Sequence, residues 1–299
     1  MTRLPALSVI GTPTKRQALL DVAAEADRRG FAGLASPGIH GNLALCGSLA
    51  HVTSRIPFWT SIQPIYHTHH AELAVTAGHL AEVSNGRFRL GLGVSHAPAM
   101  GRLGIATGKP LSDMRAYVDG IRGAERASGP LPPIWLATLR DKMLDLALDV
   151  AEGAIWANAS LSYIPVQVAR IPEDRREGFA LANMVPTVID ADHDAARAIH
   201  RRTLTGYVSL PNYRNYWKQA GYESEMVAIE SALASGDRDA LPGLMTDQWI
   251  DDCTISGSAG EVRERLDAWF DAGVLPIAVM SSTTGGQLKA IGELFEAFS

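Results

Sequence analysis

Imidazoles, hydroxyls and amides, and not paired carboxylates, carry the chemistry open to this chain. His96 closes the run Gly91-Leu92-Gly93-Val94-Ser95-His96, where an apolar strand passes into a glycine- and hydroxyl-bearing loop. His40 follows the Pro37-Gly38 turn in a similar setting. Imidazole is the usual proton carrier near neutral pH, so these two are the candidate catalytic groups. Glycines at a strand end let the backbone come close to something flat or phosphorylated. Thr138 and Arg140, just ahead of a helix beginning near Asp141, read either as an anion-binding corner or as ordinary helix capping. Asn158-Ala159-Ser160 offers the same two readings.

Other chemistries lack their residues. Glycoside hydrolysis wants two facing carboxylates, and no strand end supplies such a pair. The Gly-x-Ser-x-Gly turn of acyl transfer is missing. His67 and His70 share a helical face, but a metal site usually wants a third protein ligand, and Glu72 is badly spaced for that role. No metal is expected.

The elements that must position these groups alternate regularly. Apolar runs at residues 7–10, 31–35, 56–62, 88–92, 133–137 and 154–157 read as strands. Helical spacing fills 14–29, 43–53, 69–83, 114–127 and 141–151 between them. Thr14 is the expected cap of the first helix and Gly30 its C-terminal stop. Further units follow at 179–189 with a helix over 191–207, and at 274–280 with a helix over 286–298. Eight such units predict an α/β fold of the (β/α)8 TIM-barrel type, with catalysis at the C-terminal strand ends. A doubly wound sheet is disfavoured because Gly11-Thr12-Pro13-Thr14 is no GxGxxG turn. The expected organisation is one domain over residues 1–299. It has an active-site loop at about 94–113 and an insertion at about 208–256 before the last unit, whose Tyr213, Tyr216 and Trp217 would form a wall or lid. Trp59, Trp135 and Trp156 lie within strands and read as core or pocket wall.

A chain of 299 residues that is 46% hydrophobic can bury a full core. Its net charge of -5 comes from scattered residues, with no basic stripe for nucleic acid. Two cysteines make no disulfide framework, and no apolar run is long enough to span a membrane. A soluble cytoplasmic protein is expected, with neither nucleic acid nor membrane as partner.

The segment Ala77-Gly78-His79-Leu80-Ala81-Glu82-Val83-Ser84-Asn85-Gly86-Arg87-Phe88, running into Leu90-Gly91-Leu92-Gly93-Val94, resembles the bacterial-luciferase-like superfamily of flavin- and deazaflavin-dependent oxidoreductases. The stretches Ala24 to Phe31, Pro133 to Ala137 and Ser256 to Val262 support it. Gly93 to Pro98, Lys109 to Leu111, Met114, Arg115 and Tyr117 are most similar to the F420-dependent branch. The resemblance implies a TIM barrel, often a homodimer, that moves a hydride between coenzyme F420 and a small organic substrate. It implies a non-proline cis peptide at Ser61–Ile62, with Gln63, Gly93, Val94 and Ser95 beside the ring. Ala137, Thr138, Arg140, Asn158, Ala159 and Ser160 would then meet the cofactor phosphate. An FMN-dependent monooxygenase fed by a flavin reductase is the alternative, and a non-catalytic cofactor- or ligand-binding barrel is another. Where some F420-using relatives carry an acidic residue before the histidine after strand two, this chain has Ile39-His40.

Overall fold

The apolar runs become short parallel strands, and the amphipathic stretches between them become helices. The structure, a computed structural model, describes residues 3–299. The first half of the path is β1 (Ala6–Ser8), α1 (Arg16–Arg29), β2 (Gly33–Ser36), α2 (Asn42–Val52), β3 (Phe58–Thr60), β4 (Gln63–Pro64), α3 (His70–Val83), β5 (Phe88–Gly93), α4 (Ala97–Arg102), α5 (Pro110–Gly123) and α6 (Glu125–Ser128). Next come β6 (Ile134–Ala137), α7 (Asp141–Val150), β7 (Gly153–Ala157), α8 (Ile164–Ala169), α9 (Glu173–Arg176), β8 (Ala180–Ile189), α10 (His193–Val208), α11 (Pro211–Gln219) and α12 (Glu223–Ser235). A 3-10 turn, Leu241–Leu244, leads to α13 (Asp247–Cys253), β9 (Ile255–Gly257), α14 (Ala259–Asp271), β10 (Leu275–Ser281) and α15 (Gln287–Ala297).

Contacts divide the chain into two compact units, one comprising residues up to Trp156 with Ile171–Ala182, the other Ala157–Arg170 with Asn183–Ser299. In the first unit β1, β2, β3, β5, β6 and β7 pair side by side in parallel. Alternation along each strand sorts the side chains. Leu7, Leu34, Phe58, Phe88, Leu90 and Leu136 lie on one face, all fully buried. Trp59 and Trp135 share the other, their rings 5.1 Å apart. Gly30 ends α1 in the left-handed conformation, as expected, but the cap at the other end is Lys15 without a side-chain bond, and Thr14 has φ 69° outside the helix.

The turn from α2 into β3 is clamped from two directions. Asp27, buried on α1, accepts from the amides of Ser54 (2.7 Å), Arg55 (3.1 Å) and Ile56 (2.7 Å) and from the Ser54 hydroxyl. Burial alone would raise its carboxyl pKa, but these donors outweigh it and hold the group below the usual range. Arg87 covers the turn's carbonyls, donating to those of Ala50 (2.8 Å), Thr53 (3.1 Å) and Ile56 (3.2 Å), and to the Thr53 hydroxyl. Its guanidinium also stands 5.4 Å over the Phe58 ring.

In the second unit β8 pairs in parallel with β9 (Thr187 opposite Ile255) and also with β10. The segment read as an insertion over 208–256 therefore ends in a strand of the sheet. Its aromatic residues form no exposed wall or lid: Tyr213, Tyr216 and Trp217 are buried, and Trp217 packs edge-on against Trp249. Ser258 and Glu261 close a capping box at the start of α14.

His200 on α10 is 1% exposed, and its Nε2–H donates to the Ile255 carbonyl at 3.1 Å. Burial pushes its pKa down to about 4, against a smaller opposing effect of that bond. An unfolded chain takes up this proton near pH 6.5 and the folded one only near 4. Stability is therefore lost as pH falls across that window, by up to about 3 kcal/mol. Urea midpoints of wild type and His200→Gln, compared between pH 7 and 4.5, should show the smaller acid loss in the variant; equal losses would contradict this.

Candidate active site

The C-terminal ends of β2, β3, β5 and β6 bring together most of the residues predicted in the first unit. The Ser61 amide donates to the Ser36 carbonyl at 2.7 Å, and the Ser61–Ile62 peptide is cis. Gln63 and Pro64 pair with Leu92 and Gly93, and the Ile65 amide reaches the Gly93 carbonyl at 2.9 Å. The glycines of β5 make room for the neighbouring strand. A Cβ on Gly91 would overlap the Thr60 carbonyl oxygen, and one on Gly93 would lie 2.5 Å from Ile62 Cγ1 and 3.1 Å from Ala137 Cβ. Ile62 thus covers Gly93 beside Ala137, giving an apolar shelf at these strand ends.

After the shelf the chain turns sharply. Val94 is half-buried, and Ser95 takes φ 60°, uncommon for a residue with a side chain. His96 follows as the N-cap residue of α4. It is half-buried, and burial lowers its pKa from 6.5, so the imidazole is neutral at neutral pH. The expected loop over 94–113 is partly helical: α4 occupies its middle, with Met100 buried, and α5 begins at Pro110. Pro98 permits α4 because proline fits a helix's first turn, where its missing N–H is not needed. His40 is exposed at φ 53°, next to α2.

At the end of β6 the Thr138 amide is spent on the Ile155 carbonyl (2.8 Å), so it is no free N–H for an anion. The Thr138 hydroxyl is different: the residue is 3% exposed and its Oγ1 has no partner among the described residues. Arg140, exposed, precedes α7 without capping it by its side chain.

In the second unit, Asn158, Ala159 and Ser160 are buried, and their amides have protein acceptors. Asn158 N donates to the Met184 carbonyl, Ala159 N to Asn183 Oδ1, and Ser160 N to Tyr216 Oη. The Asn158 carbonyl in turn accepts from Trp217 Nε1 at 3.1 Å. These amides, expected to meet a phosphate, are engaged by β8 at Asn158 and Ala159 and by Tyr216 of α11 at Ser160.

Residues that spacing did not single out also shape the first unit. Tyr66 Oη donates to Asp113 (2.7 Å) and accepts from the Gly108 amide, tying the stretch after α4 to α5. Tyr117 Oη donates to the Thr68 carbonyl at 2.6 Å. His69 accepts from the Ala71 amide as N-cap of α3. Among the described residues no three His, Cys, Asp or Glu side chains converge as metal ligands, and no helix is long and apolar enough to cross a membrane.

Comparison with known proteins places this geometry. The family model described as luciferase-like monooxygenase matches residues 5–275. The chain belongs to that family. It is 26% identical over 275 residues to a 5,10-methylenetetrahydromethanopterin reductase of Archaeoglobus fulgidus, covering 81% of this chain and 82% of the relative. Among solved structures it is similar to the coenzyme F420-dependent tetrahydromethanopterin reductase of Methanopyrus kandleri, with TM-score 0.74, 18% identity and 97% of each chain covered. It is also similar to the oxygenating constituent of 3,6-diketocamphane monooxygenase from Pseudomonas putida, solved with FMN, at TM-score 0.63 and 17% identity over 97% of each chain. These likenesses establish the fold of this luciferase-like chain as the (β/α)8 barrel.

Proposed function

We propose that this protein is an F420-dependent oxidoreductase that moves a hydride between the deazaflavin and a small organic substrate. The observation that carries the reading is the buried, unpartnered Thr138 hydroxyl beside an apolar shelf of Ile62, Gly93 and Ala137. A flat ring with a polar side arm matches that pairing of surfaces, and the proteins named above include an F420-dependent reductase. When bound, the deazaflavin accepts or gives the hydride. The chain's residues do the rest. Ile62 and Gly93 would hold the ring, the Thr138 hydroxyl would hydrogen-bond the arm, and exposed Arg140 would add a positive charge near α7. Neutral His96, with Ser95 before it, would hold or pass a proton at its own imidazole nitrogen. His40 serves as the second proton-handling candidate.

Thr138→Val removes the hydroxyl at nearly constant volume. F420 binding should weaken about tenfold, the cost of one lost hydrogen bond, while stability stays level or rises because no orphaned hydroxyl remains buried. Unchanged F420 affinity would remove Thr138 from the site.

The FMN-bound structural neighbour supports a second reading, a monooxygenase that takes reduced FMN from a separate reductase. A barrel that binds cofactor without turnover is the third, motivated by the scarcity of ionisable groups at the strand ends. Under the main reading the protein works as a homodimer, and in the cytoplasm, a reducing setting in keeping with two buried free thiols, Cys46 and Cys253.

A further inference from the structure

Two cations stand where helix electrostatics disfavours them. Lys15 and Arg16 are the N-cap and first residue of α1, and no acidic residue follows in its first turn. Positive side chains at a helix N-terminus oppose the macrodipole. Among the described residues neither pairs with a carboxylate; Arg16 Nε donates to the Gly11 carbonyl at 3.3 Å. Gly11 in turn adjoins the start of α2, where a Cβ on it would be 3.8 Å from the His40 carbonyl oxygen and from Leu45 Cδ2.

That helix start lacks a cap. Gly41, left-handed at φ 78°, offers no side chain, and the first turn of α2 has no acidic residue. Asn42 Oδ1 accepts from the Leu43 amide at 3.0 Å, which lays the carboxamide across the first turn. Its Nδ2 is thereby fixed at the helix start, in a residue 6% exposed, with no partner among the described residues. A buried donor without an acceptor is costly, so native proteins rarely keep one without use. Uncompensated cations and an unsatisfied donor thus gather after β1 and β2, the end of the strands where barrels bind ligands.

We propose that the start of α2, Asn42 Nδ2 and the Lys15–Arg16 pair form a binding site for an anionic oxygen group, a carboxylate or a phosphate, carried by a ligand of this protein. The anion receives the free amide hydrogens of the first turn and the Asn42 amide, and its charge offsets both cations. The site is separate from Thr138 and stands whether the cofactor is F420 or FMN.

The test measures inorganic phosphate and glutarate binding by calorimetry and thermal unfolding, at constant ionic strength with chloride as background. At least one probe should bind wild type and raise its Tm above the chloride control. Asn42→Asp keeps the acceptor for the Leu43 amide and adds a charge that the α2 dipole favours. It should therefore raise the ligand-free Tm while cutting probe affinity at least tenfold. Arg16→Gln should also lose affinity without losing ligand-free stability. A response to phosphate alone assigns a phosphate group, to glutarate alone a carboxylate, and to both a general oxyanion site. No response above chloride, or equal affinity in Asn42→Asp, would overturn the proposal. So would a drop in the ligand-free Tm of Arg16→Gln, which would make that cation structural.

Discussion

Arg87→Ala is expected to lower stability by about 4 kcal/mol, read as a fall in denaturant midpoint at unchanged slope. The guanidinium is the donor for the carbonyls of Ala50, Thr53 and Ile56 and for the Thr53 hydroxyl. Alanine leaves these acceptors at the foot of β3 without it, and also removes the cation over Phe58. Arg87→Lys should recover only a minor part, because an ammonium cannot fork across several carbonyls at once. The effect should arise in folding and not in chemistry, since the turn lies before the N-terminal end of β3, the stability face of a barrel. A loss under about 1 kcal/mol would show that the clamp is not needed.

Gly91→Ala should be about as severe, costing about 3 kcal/mol and weakening cofactor binding in the protein that still folds. The added methyl would overlap the Thr60 carbonyl oxygen, which is backbone and cannot swing away as a side-chain end would. Thr60 is further fixed by its own hydroxyl, which donates to the Gly91 carbonyl at 2.7 Å. Relief requires moving β3 away from β5, and overpacking of this kind typically costs 1–3 kcal/mol, occasionally more. Ile62, two residues beyond Thr60, would shift with it and spoil the shelf over Gly93. Gly101→Ala on α4 is the control, since a Cβ there meets nothing within 4 Å. Wild-type stability in Gly91→Ala would mean that β3 and β5 are not so closely apposed.

These two residues show how far the sequence could be read. Arg87 and Gly91 lie in the stretch that carries the family resemblance, so their importance was visible while their work was not. Arg87 acts on carbonyls more than thirty residues earlier, beside a carboxylate from α1, and no local spacing encodes that meeting. The β5 glycines read as space for a ligand because a strand-end glycine is compatible with any close approach; what approaches is β3 at Gly91, and Ile62 with Ala137 at Gly93.

Elements with long periodic patterns were legible. The strand expected over 179–189 forms at Ala180–Ile189, and the final helix expected over 286–298 forms at Gln287–Ala297. β9 was not, because three residues carry no alternation of their own and Ile255–Gly257 is extended only through its pairing with β8. The aromatic run of α11 was visible, but hydrophobicity alone cannot distinguish a lid from a core, and its partners Asn158, Ser160 and Trp249 are remote in sequence. The strand-end positions of Ser61 to Gln63, Gly93 to His96 and Thr138 followed from the barrel itself. Which amides remain free there did not, because each depends on an acceptor chosen by the tertiary fold.

Fluorescence titration of the purified protein with F420 and, separately, with FMN tests most directly whether the strand ends of the first unit hold a deazaflavin. Saturable binding of F420, with FMN at least about a hundredfold weaker, is the predicted result. Preferential binding of FMN would contradict the account in favour of the monooxygenase reading, and binding of neither would contradict both.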